Sequence, residues 1–245
     1  MDTALGKGLA VLDALATAGG PVRLSRLASD LGLQKSSVHR ILQTLVDQGW
    51  ATQDRETGLY SASLRLWELG AGIVDALPVK RAATTILHDL HRATSETVSL
   101  TVLDGDDVVY LDKVIAARPM GFTTHVGSRI PAPLTVAGRA MLAHEDDPRG
   151  VLERVAASVG PDRLDVDAAM ADIARARDLG YLIGRGRRER GVIGIASAVP
   201  GRRGPAVAGL TVSAPVQRTD DARRDEIVEA LLVATANLAE AVGRT

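Results

Sequence analysis

Along the first third of the chain, apolar residues recur at the spacing of short helices. Leu5, Leu9, Leu12 and Ala16 stand at i, i+4, i+7 and i+11, one face of an amphipathic helix, and Gly19, Gly20 and Pro21 end the run. Leu24, Leu27, Ala28 and Leu31 repeat at i, i+3, i+4 and i+7 before Gly32, where a tight turn between helices would need a glycine. A third helix is predicted over 34–48, with Val38, Ile41, Leu42 and Leu45 as its apolar stripe. Ser36, Arg40, Gln43 and Asp47 share the opposite face, Lys35 and His39 lie to one side, and Gly49 stops the helix. The period then changes: 50–53 and 59–62 read as two short strands around a turn at 54–58, a hairpin. Leu64, Leu66, Trp67, Leu69, Ile73, Val74 and Leu77 follow as a mostly apolar helical connector bounded by Pro78, and such a helix needs a neighbour to cover it.

Beyond Pro78 the pattern predicts a helix over 79–94 and strands at 97–103, 107–114 and 121–124, the first two joined by the turn Asp104-Gly105-Asp106. A loop at 126–135, carrying Gly127, Pro131 and Pro133, leads to a short helix at 136–143. Helices at 147–158 and 167–179, strands at 192–199 and 206–213, and a last helix over 220–242 complete the order. This is an α+β arrangement with one central antiparallel sheet and helices packed on it. The expected division is 1–63, 64–78 as a linker helix, and 79–245.

Three short helices followed by a hairpin outline a winged helix-turn-helix, whose third helix enters a DNA major groove. Lys35 and Arg40 can neutralise phosphates or donate to guanine, Gln34 and Gln43 can bridge adenine edges, and Ser36, Ser37 and His39 are adaptable donors near the helix N-terminus. Arg55, at the hairpin tip, is placed to reach an adjacent groove or backbone.

Charge and composition adjust this picture. The net charge is −1, and the first 75 residues hold seven basic against eight acidic side chains, so a lone module supplies little electrostatic attraction and two copies are expected. The alternative for this polar face is a merely solvated surface. Aromatic residues make up only 2% of the chain, which disfavours base stacking on single strands and leaves duplex grooves as the better partner. With no cysteine there is no disulfide, thiolate metal site or cysteine nucleophile. The first 18 residues lack a secretory pattern and no stretch is long and apolar enough to span a bilayer, so a cytoplasmic location without a membrane partner is expected.

The blocks LSRLASDLGLQKSSVHRILQTLVDQGW and GLYSASLRLWELG, then VGSRIPAPLTVAGRAMLA, GYLIGRGRRERGVIGIASAVP and AVAGLTVSAP, resemble in order the isocitrate-lyase-regulator (IclR) family of bacterial regulators over nearly the whole chain. The resemblance implies a GAF-like effector domain that holds a small molecule between the sheet and the loop and helix covering it. It maps effector contacts onto Phe122, Ile130, Val136, Ala137, Val192, Gly194, Thr211 and Ser213. Phe122, Ile130, Leu134 and Val192 can form apolar walls, with ordinary core as the competing reading for Phe122, Ile130 and Val192. The N–H groups near Val136, Ala137 and Gly138 begin a helix suited to a carboxylate, and Thr211 and Ser213, two apart on a strand, present hydroxyls to one face. The expectation is therefore a ligand-responsive regulator, a repressor, that binds operator DNA as a homodimer or homotetramer and answers to a small organic acid, with no cofactor.

Two departures from the family pattern stand out. Gly184, Arg185, Gly186, Arg187 and Arg188 replace an acidic run, which either admits a more negative ligand, aided by Arg129, Arg185 or Arg187, or makes a solvated basic loop. Gly194 stands where many relatives have cysteine, and Gly184 and Gly194 together make room for a larger effector. Enzyme readings find little support. His88 and His91 share a helix face without further metal ligands, 144–147 is a polar run after a helix, and no nucleophile elbow, P-loop or dinucleotide fingerprint occurs.

Overall fold

The computed structural model describes residues 3–117, 124–160, 162–185, 191–202 and 204–243. They divide into two compact units, Met1–Val74 and Asp75–Thr245, each with its own core.

In the first unit, helices α1 (Ala4–Thr17), α2 (Leu24–Asp30) and α3 (Lys35–Asp47) precede a two-stranded antiparallel sheet of β1 (Ala51–Gln53) and β2 (Tyr60–Ala62). Thr3 caps α1 by accepting the Gly6 N–H at 3.1 Å. Between α2 and α3 the chain reverses at Gly32, whose φ of +63° carries a steric penalty for a side chain. One face of each helix fills the core: Val11 and Leu15 from α1, Leu27 and Ala28 from α2, Val38 and Leu42 from α3. Ile41 and Leu45, the flanks of the expected α3 stripe, are half-buried beside them. Tyr60 closes the core from the hairpin and exchanges backbone hydrogen bonds with Val22, in both directions, at 2.8 and 2.9 Å.

Helix α4 (Arg65–Asp75) has no buried residue. Its start is latched to the end of α3: Arg65 donates to the Gln48 carbonyl at 2.6 Å and lies 4.5 Å over the Trp50 ring, while Ser63 Oγ donates to the Gly49 carbonyl at 2.6 Å. Trp67, Leu69 and Ile73 on α4, together with Leu5 and Leu9 on α1, leave more than half of their surface exposed.

The second unit is built on a six-stranded sheet in the order β5-β4-β3-β8-β7-β6, antiparallel throughout. Its strands are β3 (Thr97–Asp104), β4 (Asp107–Val114), β5 (Arg129–Pro131), β6 (Leu182–Arg185), β7 (Val192–Pro200) and β8 (Ala206–Pro215). Helices α5 (Pro78–Thr94) and α9 (Asp221–Gly243) pack on each other and on one sheet face, over Val98, Leu100, Leu210 and Val212, all fully buried. The other face takes α6 (Val136–Leu142), backed by α8 (Val166–Leu179) and then α7 (Pro148–Val159).

Two strands depart from the sequence expectation. β6 falls in a stretch to which the sequence pattern assigned no element, and it forms because β7 offers an edge to pair with. β5 arises inside the expected loop 126–135 by pairing Ile130 with Val108. The strand expected at 121–124 lies, except for Thr124, outside the described residues.

Candidate nucleic-acid interface and effector site

Gln34 is the N-cap residue of α3 and makes no side-chain capping bond, and the first turn carries no acidic residue. The N–H groups of Lys35 and Ser36 therefore open the helix without a competing carboxylate, a geometry suited to a phosphate oxygen. Lys35, Ser36, His39, Arg40 and Gln43 are exposed on one side of the helix, whereas Ser37 is half-buried. Gln43 is partly committed, since its Nε2 donates to Asp47 one turn on at 3.0 Å.

At the hairpin tip Asp54 accepts from the N–H groups of Glu56 and Thr57 at 3.0 and 2.7 Å and from Thr57 Oγ1 at 2.8 Å. These bonds, led by the Thr57 amide, hold the Asp54 carboxyl below its ordinary value and fix the turn. Arg55 is exposed on that turn, with Glu56 as its neighbour. All eight expected DNA-contacting residues thus lie on α3, its cap and the hairpin tip of one compact unit.

The effector candidates lie on the α6 side of the sheet. Register places Thr211 between Ser99 of β3 and Ala196 of β7, and Ser213 between Thr97 and Gly194. A Cβ on Gly194 would stand 3.2 Å from Val136 Cγ2, and one on Gly184 would stand 2.9 Å from it. Val136 therefore lies over both glycines. The space expected there for a larger effector is filled by this side chain, which corrects that expectation.

Thr135 caps α6 by accepting the Gly138 N–H at 2.8 Å, so of the three amides singled out at this N-terminus one is already satisfied. Val136 and Ala137 are buried, and Val192 is half-buried at the start of β7. The Thr211 hydroxyl is buried with no hydrogen-bond partner among the described residues. Such a group costs stability until something pairs with it.

Other expected members separate from this group. Ile130 is buried where β5 meets Val108, in line with Leu103, four residues along β3 from Ser99. Arg129 is engaged with Asp104 and with Asp107 at 3.3 Å, and its guanidinium is held above its ordinary value chiefly by the Asp104 bond, so it serves the β3–β4 turn. Phe122 and 186–190 lie outside the described residues, and of Arg185 only the backbone is described. The polar run after α6 is structural in part: Asp147 caps α7 through the Gly150 N–H at 2.9 Å. His144 is held below its ordinary value by burial and then by the charge of Arg177. His91 Nδ1 meets the Glu96 carbonyl at 2.7 Å, a local closure of α5.

Sequence reasoning missed the polar strip of β3 and its neighbour on β4. Thr97, Ser99 and Thr101 alternate with Val98, Leu100 and Val102, and that period of two was the available signal. Lys113 of β4 pairs in register with Ser99, and its Nζ donates to Thr124 O and Oγ1 at 2.9 and 3.2 Å.

Residues 71–240 match the family described as bacterial transcriptional regulator IclR C-terminal, and residues 4–55 match the IclR helix-turn-helix domain. The chain belongs to the IclR family of bacterial transcriptional regulators. Among its relatives, the regulator KdgR of Escherichia coli K12 is 30% identical over 226 residues, covering 91% of this chain and 86% of KdgR. The E. coli K12 repressor AllR is 27% identical over 224 residues, covering 90% and 83%. A solved structure of an IclR homologue from Microbacterium hydrocarbonoxydans, complexed with 4-hydroxybenzoate, superposes with a TM-score of 0.84 at 24% identity, covering 99% of this chain and 100% of that one. This IclR-family chain is accordingly a transcriptional regulator with a helix-turn-helix DNA-binding domain, and not an enzyme. No helix among its described residues is long and apolar enough to cross a membrane.

Proposed function

We propose that this regulator is a repressor that reads operator DNA with α3 and the β1–β2 tip, as a dimer or dimer of dimers, and that a small organic acid on the α6 side of its sheet modulates it. The observation that carries the effector half is the buried Thr211 hydroxyl, which has no hydrogen-bond partner among the described residues and lies on the sheet face that α6 covers, two residues along β8 from Ser213. A ligand acceptor or donor meeting that hydroxyl would remove a desolvation cost the empty protein bears. Two relatives support this reading: AllR of E. coli is named a repressor, and the Microbacterium homologue was solved in complex with 4-hydroxybenzoate. The test is a thermal-shift screen of small carboxylates and aromatic acids, followed by operator binding with and without each acid that stabilises the protein. A ligand shifts the DNA-binding equilibrium only if it favours one arrangement of the protein over another. A stabilising acid should change operator affinity; if every acid that binds leaves it unchanged, the effector reading is wrong.

Thr211→Val should weaken binding of such an acid about tenfold, the value of one buried hydrogen bond, and Ser213→Ala should do likewise. Thr211→Val carries a second signature. It replaces an orphan hydroxyl by a methyl of similar size, so the ligand-free protein should melt higher, by up to roughly 1–3 kcal/mol of added stability. Calorimetry reads both effects. Unchanged acid affinity in both variants would move the binding site elsewhere.

The oligomer rests on the exposed apolar side chains of α1 and α4, which a soluble monomer rarely presents together. Trp67→Ser with Ile73→Ser should halve the mass seen by light scattering and leave the core of residues 3–62 folded. A wild-type chain that is monomeric at micromolar concentration yet binds its operator fully would overturn the dimer.

A further inference from the structure

We infer that Arg65 is a positioning residue for DNA reading: it clamps the first turn of α4 to the C-terminal end of α3 and so fixes the spacing at which two copies of α3 meet the operator. This rests on the proposed reading of DNA by α3 in a dimer joined through α1 and α4, and adds to it the residue that sets the geometry.

The recognition helix closes with Gln48 as its C-cap residue, and Gly49 turns the chain with a φ of +74° before Trp50 leads into β1. The last carbonyls of a helix have no partner within it, and the last turn of α3 carries no basic residue to complement them. The complement comes from the junction of β2 and α4. Arg65 Nη1 donates to the Gln48 carbonyl at 2.6 Å, and Arg65 Cζ lies 4.5 Å from the centre of the Trp50 ring. Ser63 Oγ donates to the Gly49 carbonyl at 2.6 Å and accepts the Arg65 N–H at 3.3 Å, while the Ser63 N–H donates to the Trp50 carbonyl at 3.0 Å. Three consecutive residues at the exit of α3 are thus held by two residues at the entry of α4.

Little else holds α4. None of its residues is buried, and among the described residues no other side chain on it makes a hydrogen bond or ion pair. Its direction from α3 is therefore set by the strand that precedes it and by this clamp. Each contact is modest by itself at a solvated surface. Together they admit one orientation, because the planar guanidinium must offer its edge to the carbonyl while its face lies on Trp50.

A lever gives the consequence. The 11 residues of α4 make a rod about 16 Å long. A tilt of roughly 15° at Arg65 would displace its far end by about 4 Å, more than the rise of about 3.4 Å per base pair. Trp67, Leu69 and Ile73, the exposed apolar side chains through which the dimer is proposed to form, ride on this lever. A loose joint would let each α3 take its own half-site while the pair settled at more than one spacing, whereas a clamped joint admits one. Arg65 is exposed, so the competing role for it is a phosphate contact, and the two roles differ in their salt dependence.

The test needs no known operator. Full-length wild type and Arg65→Met, which keeps an unbranched stem and a good helix former, select in parallel from duplexes with a random core several turns long. The wild type should enrich paired half-sites at one spacing. Arg65→Met should enrich the same half-site sequence over spacings that differ by a base pair or more. It should bind the wild-type palindrome about tenfold more weakly, and a duplex carrying one half-site as tightly as the wild type does. The slope of log affinity against log salt should be unchanged, because the clamp touches no phosphate. If circular dichroism shows that Arg65→Met does not fold, Ser63→Ala, which removes part of the same joint and no charge, should broaden the spacing in its place. A spacing as narrow as the wild type's in the folded variant overturns the clamp. An equal loss of affinity at one half-site and at the pair does so too, as does a salt slope flattened by about one unit per copy, which would make Arg65 a phosphate contact. The wider reading fails differently: the wild type itself would enrich single half-sites or no sequence at all.

Discussion

Replacing Lys35 and Arg40 together by alanine should lower operator affinity by about three orders of magnitude or more while leaving the melting transition in place, because each lost phosphate or base contact is worth about 1–3 kcal/mol and a dimer loses each of the two contacts twice. Both side chains are exposed on α3, clear of the Val38 and Leu42 core, and alanine is a better helix former than either. Surface changes of this kind ordinarily alter stability by less than about 0.5 kcal/mol. The near-neutral charge of the unit makes the effect large, since few other cations remain to hold the phosphates. A salt titration separates the roles. A residue that touches only phosphate flattens the dependence of log affinity on log salt by about one unit per contact, whereas a base-reading residue lowers affinity for the operator more than for random DNA. Operator affinity equal to wild type in either single variant would remove that residue from the interface. Circular dichroism on the same samples guards against unfolding as the cause.

Gly138→Ala should cost the second unit about 3 kcal/mol or more and abolish its effector response. Elsewhere in a helix the same change would be favourable by up to about 1 kcal/mol, so its sign is diagnostic. The reason lies in a close approach of backbones: a Cβ on Gly138 would stand 2.6 Å from the Ala132 carbonyl carbon and nearer still to its oxygen. Neither partner is the flexible end of a side chain, so α6 would have to move off the turn that precedes it. Val136, which lies over Gly184 and Gly194 from the first turn of the same helix, would move with it. For a domain of this size about 2–4 °C of melting temperature is lost per kcal/mol, so scanning calorimetry should register a fall of roughly 6–12 °C. A melting temperature at or above the wild-type value would mean that α6 is not held against Ala132.

These two predictions differ in how far the sequence alone could have carried them. The polar face of α3 proposed to read DNA was legible almost residue by residue, because a helix displays its faces at a fixed period and Lys35, Arg40 and Gln43 could be assigned to the polar side by counting from Val38 and Leu42. The hairpin, the long strands β3, β4, β7 and β8 and the helices around them carried the same kind of local signal. The block resemblance named the family, and the family matches bore it out.

Of the proposed effector site, the β8 hydroxyls Thr211 and Ser213 were legible as sharing one face, which follows from a spacing of two. What lies opposite them was not. Strand order is a non-local choice: β6 exists only because β7 lends it an edge, and nothing in the Gly184-Arg185 stretch itself announces a strand. Neither could spacing say that Gly184 and Gly194 would lie under one valine, since the residues concerned are far apart in the chain and meet through two strands and a helix. The same holds for Lys113, Ser99 and Thr211, which register alone sets in one row. Periodicity along a chain assigns a residue to a face; which residues share that face from other strands is decided only when backbone hydrogen bonds choose the partners, and that choice belongs to the tertiary structure.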